Sequence, residues 1–172
     1  MSSASHWRKD AEIDPKKAIG MSTSQPDSAK ARSHLSYAAV TLRFGYKGPG
    51  DPCRGMVPFY HYRIFVAELD VGHINLRVGD TEHVRLCAGH LGYGISEPFR
   101  GHGCAYQACR ALAPLVRMFY SRVIITADPD NYASLRTIER LGAIFLDEIP
   151  VPEHDPHYEQ GSRIKRRYQW SP

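Results

Sequence analysis

Residues 95–105 read Ile95-Ser96-Glu97-Pro98-Phe99-Arg100-Gly101-His102-Gly103-Cys104-Ala105, and this Arg-Gly-X-Gly-X-Ala turn between a predicted strand and a predicted helix decides the fold. Gly101 and Gly103 carry no Cβ, so the backbone can take left-handed dihedrals and bring successive N–H groups toward one anion. The helix that follows adds unsatisfied N–H donors and the positive end of its dipole at the same point. Arg100 places a full charge beside them. The stretch before the turn, His90 to Ile95, reads as a strand, and Pro98 ends its pairing because it has no donor. Two other nucleotide signatures are excluded. No Gly-Lys-Ser or Gly-Lys-Thr occurs for a Walker loop, and Gly89, Gly92 and Gly94 do not form G-x-G-x-x-G.

Working outward, a chain of 172 residues with 42% hydrophobic content is long and apolar enough for one domain with a proper core. Residues 1–33, rich in Ser, Ala, Lys and Asp, read as a disordered or loosely ordered leader or a marginal helix, and residues 34–172 as a single domain. The net charge of +4 is modest. Much of it lies in Arg163, Lys165, Arg166 and Arg167, read as a solvated strand face in preference to a nucleic-acid contact. The four cysteines show no C-x-x-C spacing, and Cys104 and Cys109 diverge on a helix, so a reduced, cytoplasmic chain without a metal is expected. No apolar run approaches the roughly twenty residues that span a bilayer.

Leu35 to Phe44 reads as a first strand ended by Gly45, and Tyr60 to Glu68 as a second. After a turn at Leu69 to Gly72, the alternation of Ile74, Leu76 and Val78 gives a third, and a fourth runs from Cys87 to Ser96. From Gly103 the period becomes helical through Ala105, Ala108, Cys109, Leu112, Val116 and Phe119, with a kink or early ending expected at Pro114. Val123 to Ile125 has the β-branched run of a covered central strand. A helix carrying Leu135, Ile138 and Leu141 stops at Gly142, and strands over Ala143 to Ile149 and Arg163 to Trp170 close the chain as a hairpin. The order β-ββ-β-α-β-α-β-β is a mixed α/β (α+β) arrangement, a central sheet flanked by helices, and not a doubly wound sheet.

Two motifs in this order, Gly92 to Ala105 and the Asp130 to Ala143 run D-N-Y-A-S-L-R-T-I-E-R-L-G-A, make the chain resemble the GNAT (Gcn5-related) acyl-CoA N-acyltransferases from about Leu35 to Trp170. The resemblance implies a strand that splays from its neighbour to admit a pantetheine arm, and acetyl-CoA as cosubstrate. Carried over, Ile95 would bond pantetheine through its backbone, while Arg100, Gly101, His102, Gly103, Cys104 and Ala105 would surround the pyrophosphate. Asn131 would hold the arm, and Ser134 would lie near the thioester sulfur. The implied reaction is direct attack of a primary amine on the thioester, which requires a base, an oxyanion donor and a thiolate acid. Many members use a Tyr on the second-motif helix as that acid. Here Ile138 stands in its place, and Ser134 is the substitute, against its other reading as a plain first-turn serine. His90 is the first candidate base, with Asp128 and Glu82 as rivals. Against the enzyme stands a non-catalytic acyl-CoA-binding module, which Ile138 keeps open. The connection from Gly45 to Pro58 is too short for the two helices that most members place there, so the acceptor side is expected to be open, or completed by a second copy in a homodimer. The loop containing His154, Asp155 and His157 is expected beside the acceptor, and its spacing matches no zinc pattern.

Overall fold

The structure, a computed structural model, describes residues 34–172, so the leader lies outside the described residues. Alternation of apolar residues builds the first sheet. Strands β1 (Leu35–Tyr37), β2 (Val40–Gly48), β3 (Phe59–Val66), β4 (Leu69–Arg77) and β5 (Leu91–Ile95) form an antiparallel meander in that order. Tyr62, Ile64, Ile74 and Leu76 point to one side and are completely buried there. The second sheet has the order β6-β8-β7, from β6 (Val123–Ala127), β7 (Ile144–Pro150) and β8 (Ile164–Trp170), again antiparallel. Helix α1 (Cys104–Phe119) packs across β1, β2, β4 and β5, whereas α2 (Tyr132–Arg140) packs on α1 and β6. No helix among the described residues is long and apolar enough to cross a membrane.

Several boundaries differ from the sequence reading. Leu35 to Phe44 is not one strand but a tight hairpin, with Tyr37 opposite Val40 across Ala38 and Ala39. Its turn is held from α1, where the Gln107 side chain accepts the Ala39 N–H at 3.0 Å. The next turn falls at Ala67 and Glu68 rather than at Leu69 to Gly72, since β4 already begins at Leu69. Between β2 and β3 there is only a short 3-10 turn at Pro52–Arg54, so the connection is as brief as expected.

Pro114 neither breaks nor ends α1, which runs on to Phe119. The proline lies on the exposed face, where water can take the carbonyl it leaves bare, and the buried Leu112, Leu115 and Val116 contribute about 1.5–3 kcal/mol each against a penalty of about 3. Cys87 and Ala88 are not strand but the end of a π-helical turn, Val84–Ala88, whose carbonyl at Ala88 accepts from the Arg77 guanidinium at 3.0 Å. The terminal basic run also departs from a solvated face. Lys165 and Arg167 are buried on β8 and paired with Asp128 and Asp147, each at 2.6 Å.

The two sheets meet at His90. The His90 N–H donates to the Ile124 carbonyl at 2.7 Å, and left-handed Gly89 lets the chain pass so close that a Cβ there would lie 3.0 Å from the same oxygen. Beyond His90, β5 pairs only with β4, and its free side opens toward α2.

Candidate functional site

A cleft of about 750 Å³ occupies this opening, within the range of small-molecule sites. One wall is Tyr93, Gly94 and Ile95 of β5, the other is the first turns of α2, and the turn at Arg100 to Gly103 closes the end against α1. Gly101 and Gly103 adopt φ of 82° and 75°, the left-handed values that a side chain would disfavour. Gly103 is the N-cap of α1 and supplies no side chain, so the first N–H groups of the helix have no side-chain capping partner. Three guanidinium groups, Arg100, Arg136 and Arg140, line the same cleft with no carboxylate among its lining residues. Arg140 lies over the Tyr106 ring at 4.2 Å. This arrangement suits a polyanionic ligand.

Of the residues picked from sequence, Ile95, Arg100, Gly101, Gly103, Cys104, Ala105, Asn131 and Ser134 all line the cleft. The Ile95 carbonyl accepts from Arg100 Nε at 3.1 Å. Asn131 caps α2, its Oδ1 accepting the Ser134 N–H at 3.1 Å, which leaves its amide NH2 to donate. His102 is exposed on the turn and is not among the lining residues.

The candidate bases lie elsewhere. His90 is buried at the junction of the sheets, where its Nδ1 accepts the Ile124 N–H at 3.0 Å and its ring packs on Tyr120. Burial pushes its imidazole down to about 4. Asp128 accepts from Lys165 Nζ and from the Ser162 hydroxyl, both at 2.6 Å. Burial opposes its charge, but those two hydrogen bonds outweigh it and lower its pKa. Glu82 is exposed beside His154 at 3.3 Å.

Sequence reasoning passed over Arg136 and Arg140, although their spacing of four puts both on one face of α2. It also passed over Tyr93. That hydroxyl is wholly buried and makes no hydrogen bond, although Ser134 and Thr137 stand near enough to favour its ionised form slightly. Burial dominates and raises its pKa, so the phenol stays protonated.

A family model described as "Acetyltransferase (GNAT) domain" matches residues 7–144. The chain belongs to the GNAT acetyltransferase family. The match begins at residue 7, among residues the structure does not describe. Among solved structures it is similar to the microcin C7 self-immunity acetyltransferase MccE in complex with acetyl-CoA and AMP, with 17% identity, a TM-score of 0.51, and coverage of 66% of this chain and 61% of the other. The ribosomal alpha-N-protein acetyltransferase RimL aligns with 21% identity, a TM-score of 0.50, and coverage of 66% and 61%. An acetyltransferase from Salmonella typhimurium that modifies the N-terminal serine of ribosomal protein L7/L12 gives 20% identity, a TM-score of 0.50, and coverage of 70% and 66%. At these identities the likeness concerns the GNAT fold. The chain spans about three fifths of the MccE and RimL chains, at 61% of each. No curated protein matches it at a significant level.

Proposed function

We propose that this GNAT domain transfers an acetyl group from acetyl-CoA directly to a primary amine. The observation that carries the reading is the cleft itself, where uncapped N–H donors and three arginines line an opening walled by an unpaired strand edge. Pyrophosphate belongs at Arg100 to Ala105, with His102 at its outer rim and Arg136 and Arg140 taking further phosphate charge. The pantetheine arm runs between Ile95 and the Asn131 amide. Ser134 faces the departing sulfur and supplies its proton, with Tyr93 behind it as a neutral hydroxyl donor. The thioester is activated enough for direct attack, so this chemistry requires no metal. MccE is described with acetyl-CoA, and the RimL-type enzymes act on a protein N-terminus. An amine on a small molecule or on a protein fits the short, open β2–β3 connection.

Free thiols at all four cysteines suit the reducing cytoplasm. The edge strand β7, with Ile144, Phe145 and Leu146 exposed, is where a second copy would pair in a homodimer.

The test is to incubate the protein with acetyl-CoA and a panel of primary amines and to follow free thiol. Arg100→Ala and Arg140→Ala should each weaken acetyl-CoA binding about tenfold, the scale of one charged hydrogen bond. Ser134→Ala should lower turnover and leave binding nearly intact. Binding without turnover on any amine would favour a non-catalytic acyl-CoA module, and full activity in Ser134→Ala would remove Ser134 from the mechanism.

A further inference from the structure

The face of the first sheet opposite α1 carries a row of rings that ends at His73, beside Gly94 of the cleft wall. Tyr46 stacks on His61 with centroids 4.7 Å apart, and His61 stacks on His73 at 5.7 Å. The Asn75 carbonyl accepts from His61 Nδ1 at 2.7 Å, which leaves Nε2 of His61 as a proton acceptor. Next in the row is β5, where the register sets His73 opposite Gly94. A Cβ at Gly94 would lie 2.8 Å from His73 Cε1, so the imidazole occupies the space of the absent side chain. Gly92 is likewise filled by the Arg77 guanidinium, at 2.9 Å. On this face β5 therefore presents no side chain at either position. Gly94 also lines the cleft.

We propose that His73 is the general base of the transfer reaction, and that the amine reaches the thioester over the His61–His73 face of the sheet, across Gly94. The inference rests on the acetyl-transfer reading given above. An ammonium arriving there gives one proton to the neutral imidazole, and the free amine attacks the thioester carbonyl. The C–N bond forms and the C–S bond breaks. The second proton on nitrogen passes through the Ser134 hydroxyl to the sulfur, and the imidazolium returns its proton to solvent along His61. One proton is released per turnover.

The surroundings of His73 suit this role. Burial lowers its pKa, the charges of His61 and Arg63 on β3 lower it further, and Asp70 on β4 partly opposes them. Arg63 itself is tied to Asp70 by two bonds, at 2.8 and 2.6 Å, while β5 contributes only Gly94. The imidazole is thus neutral at pH 7 and ready to accept.

The test measures kcat/KM against pH with acetyl-CoA and phenethylamine, glycinamide and a short seryl peptide, reading free thiol. The wild type should keep its activity below the ordinary histidine range before an acidic limb sets in. His73→Gln should lower kcat/KM by about a hundredfold or more and abolish that limb, with CoA affinity unchanged. His73→Gly should regain rate on addition of imidazole, which a packing role would not allow. His61→Gln should move the limb to higher pH, because one cause of the depressed value is gone. A His73→Gln protein with wild-type rate and an intact limb overturns the proposal while leaving acetyl transfer standing. A wild type that binds acetyl-CoA but turns over none of the three amines sinks both.

Discussion

Two polar regions of this molecule are closed to opposite degrees. Beneath the second sheet, His83 Nδ1 and the Asp155 carboxylate meet at 2.8 Å with both side chains buried, and Asp155 also accepts the His157 N–H at 2.8 Å. Lys165 and Ser162 converge on Asp128, and Arg167 makes two bonds to Asp147. In the cleft between β5 and α2 Asn131 Oδ1 accepts the Ser134 N–H and the Ile95 carbonyl accepts from Arg100, but other polar groups stay open. The Tyr93 hydroxyl has no partner, α1 lacks a cap, and the arginines face no carboxylate within the lining. Buried polar groups are costly when unpaired, so the closed region is scaffold and the open one is held ready for a ligand. By the same logic Asp128, which follows β6, is bound into the scaffold.

The sharpest way to break this contrast is to open the closed region. Asp155→Ala strips His83 and the His157 N–H of their buried acceptor. Removing one partner of such a pair costs about 3 kcal/mol or more. Denaturant unfolding should show that loss, whereas acetyl-CoA affinity of the folded fraction should be unchanged. A loss within experimental error would mean that the network is ornamental, and a loss of affinity without a loss of stability would place Asp155 in the ligand site.

The junction between the two regions gives the next effect, through His90. Its folded value of about 4 lies below the ordinary 6.5, so the folded state holds the neutral ring. Above pH 6.5 the ring is neutral in both states and its contribution is complete. As pH falls from 6.5 toward 4, the unfolded chain binds a proton that the folded one refuses, and stability drops by about 3 kcal/mol before levelling. His157, also pushed to about 4 by burial but less enclosed, adds a smaller slope in the same window. Chemical denaturation at pH 7 and pH 4.5 should give a difference that shrinks markedly in His90→Asn. An equal difference in that variant would show that the proton is taken up elsewhere.

The cleft was more legible in the sequence than the sheet that frames it. Gly101, Gly103 and Gly142 announce left-handed backbone because few other residues take it, and all three adopt it. Asn131 announces a cap for the same kind of reason, a side chain that competes well for helix N–H groups. The turns at Ala38 and Ala67 carry no such mark. Both alanines hold φ near 50°, imposed by strand pairing and by α1 rather than by their own preference. Period-two apolarity in C-A-G-H-L-G-Y-G extends the strand too far back through His90, and nothing local reveals that Val84–Ala88 is a helical turn whose Ala88 carbonyl, with that of Gly89, accepts from Arg77. Lys165 and Arg167 read as solvated because their acid partners, Asp128 and Asp147, lie 37 and 20 residues away. His73 and Tyr93 carry no motif. Their meaning comes from what faces them across a strand or a helix.

Tyr93 offers the finest test of the open region, because its sign is unusual. Removing a hydroxyl from a core normally costs stability when that hydroxyl is bonded. Here it is buried without a partner, so Tyr93→Phe deletes an unsatisfied group while keeping the ring. The free protein should become more stable by about 1 kcal/mol, at the low end of the penalty for an unpaired buried polar group. If the hydroxyl serves as a donor behind Ser134, the same variant should lose turnover while keeping acetyl-CoA affinity, and the double variant with Ser134→Ala should be no slower than the worse single one. Stability and activity would then move in opposite directions on loss of a single oxygen. A Tyr93→Phe protein that is less stable and fully active would instead place this hydroxyl among the closed, structural groups.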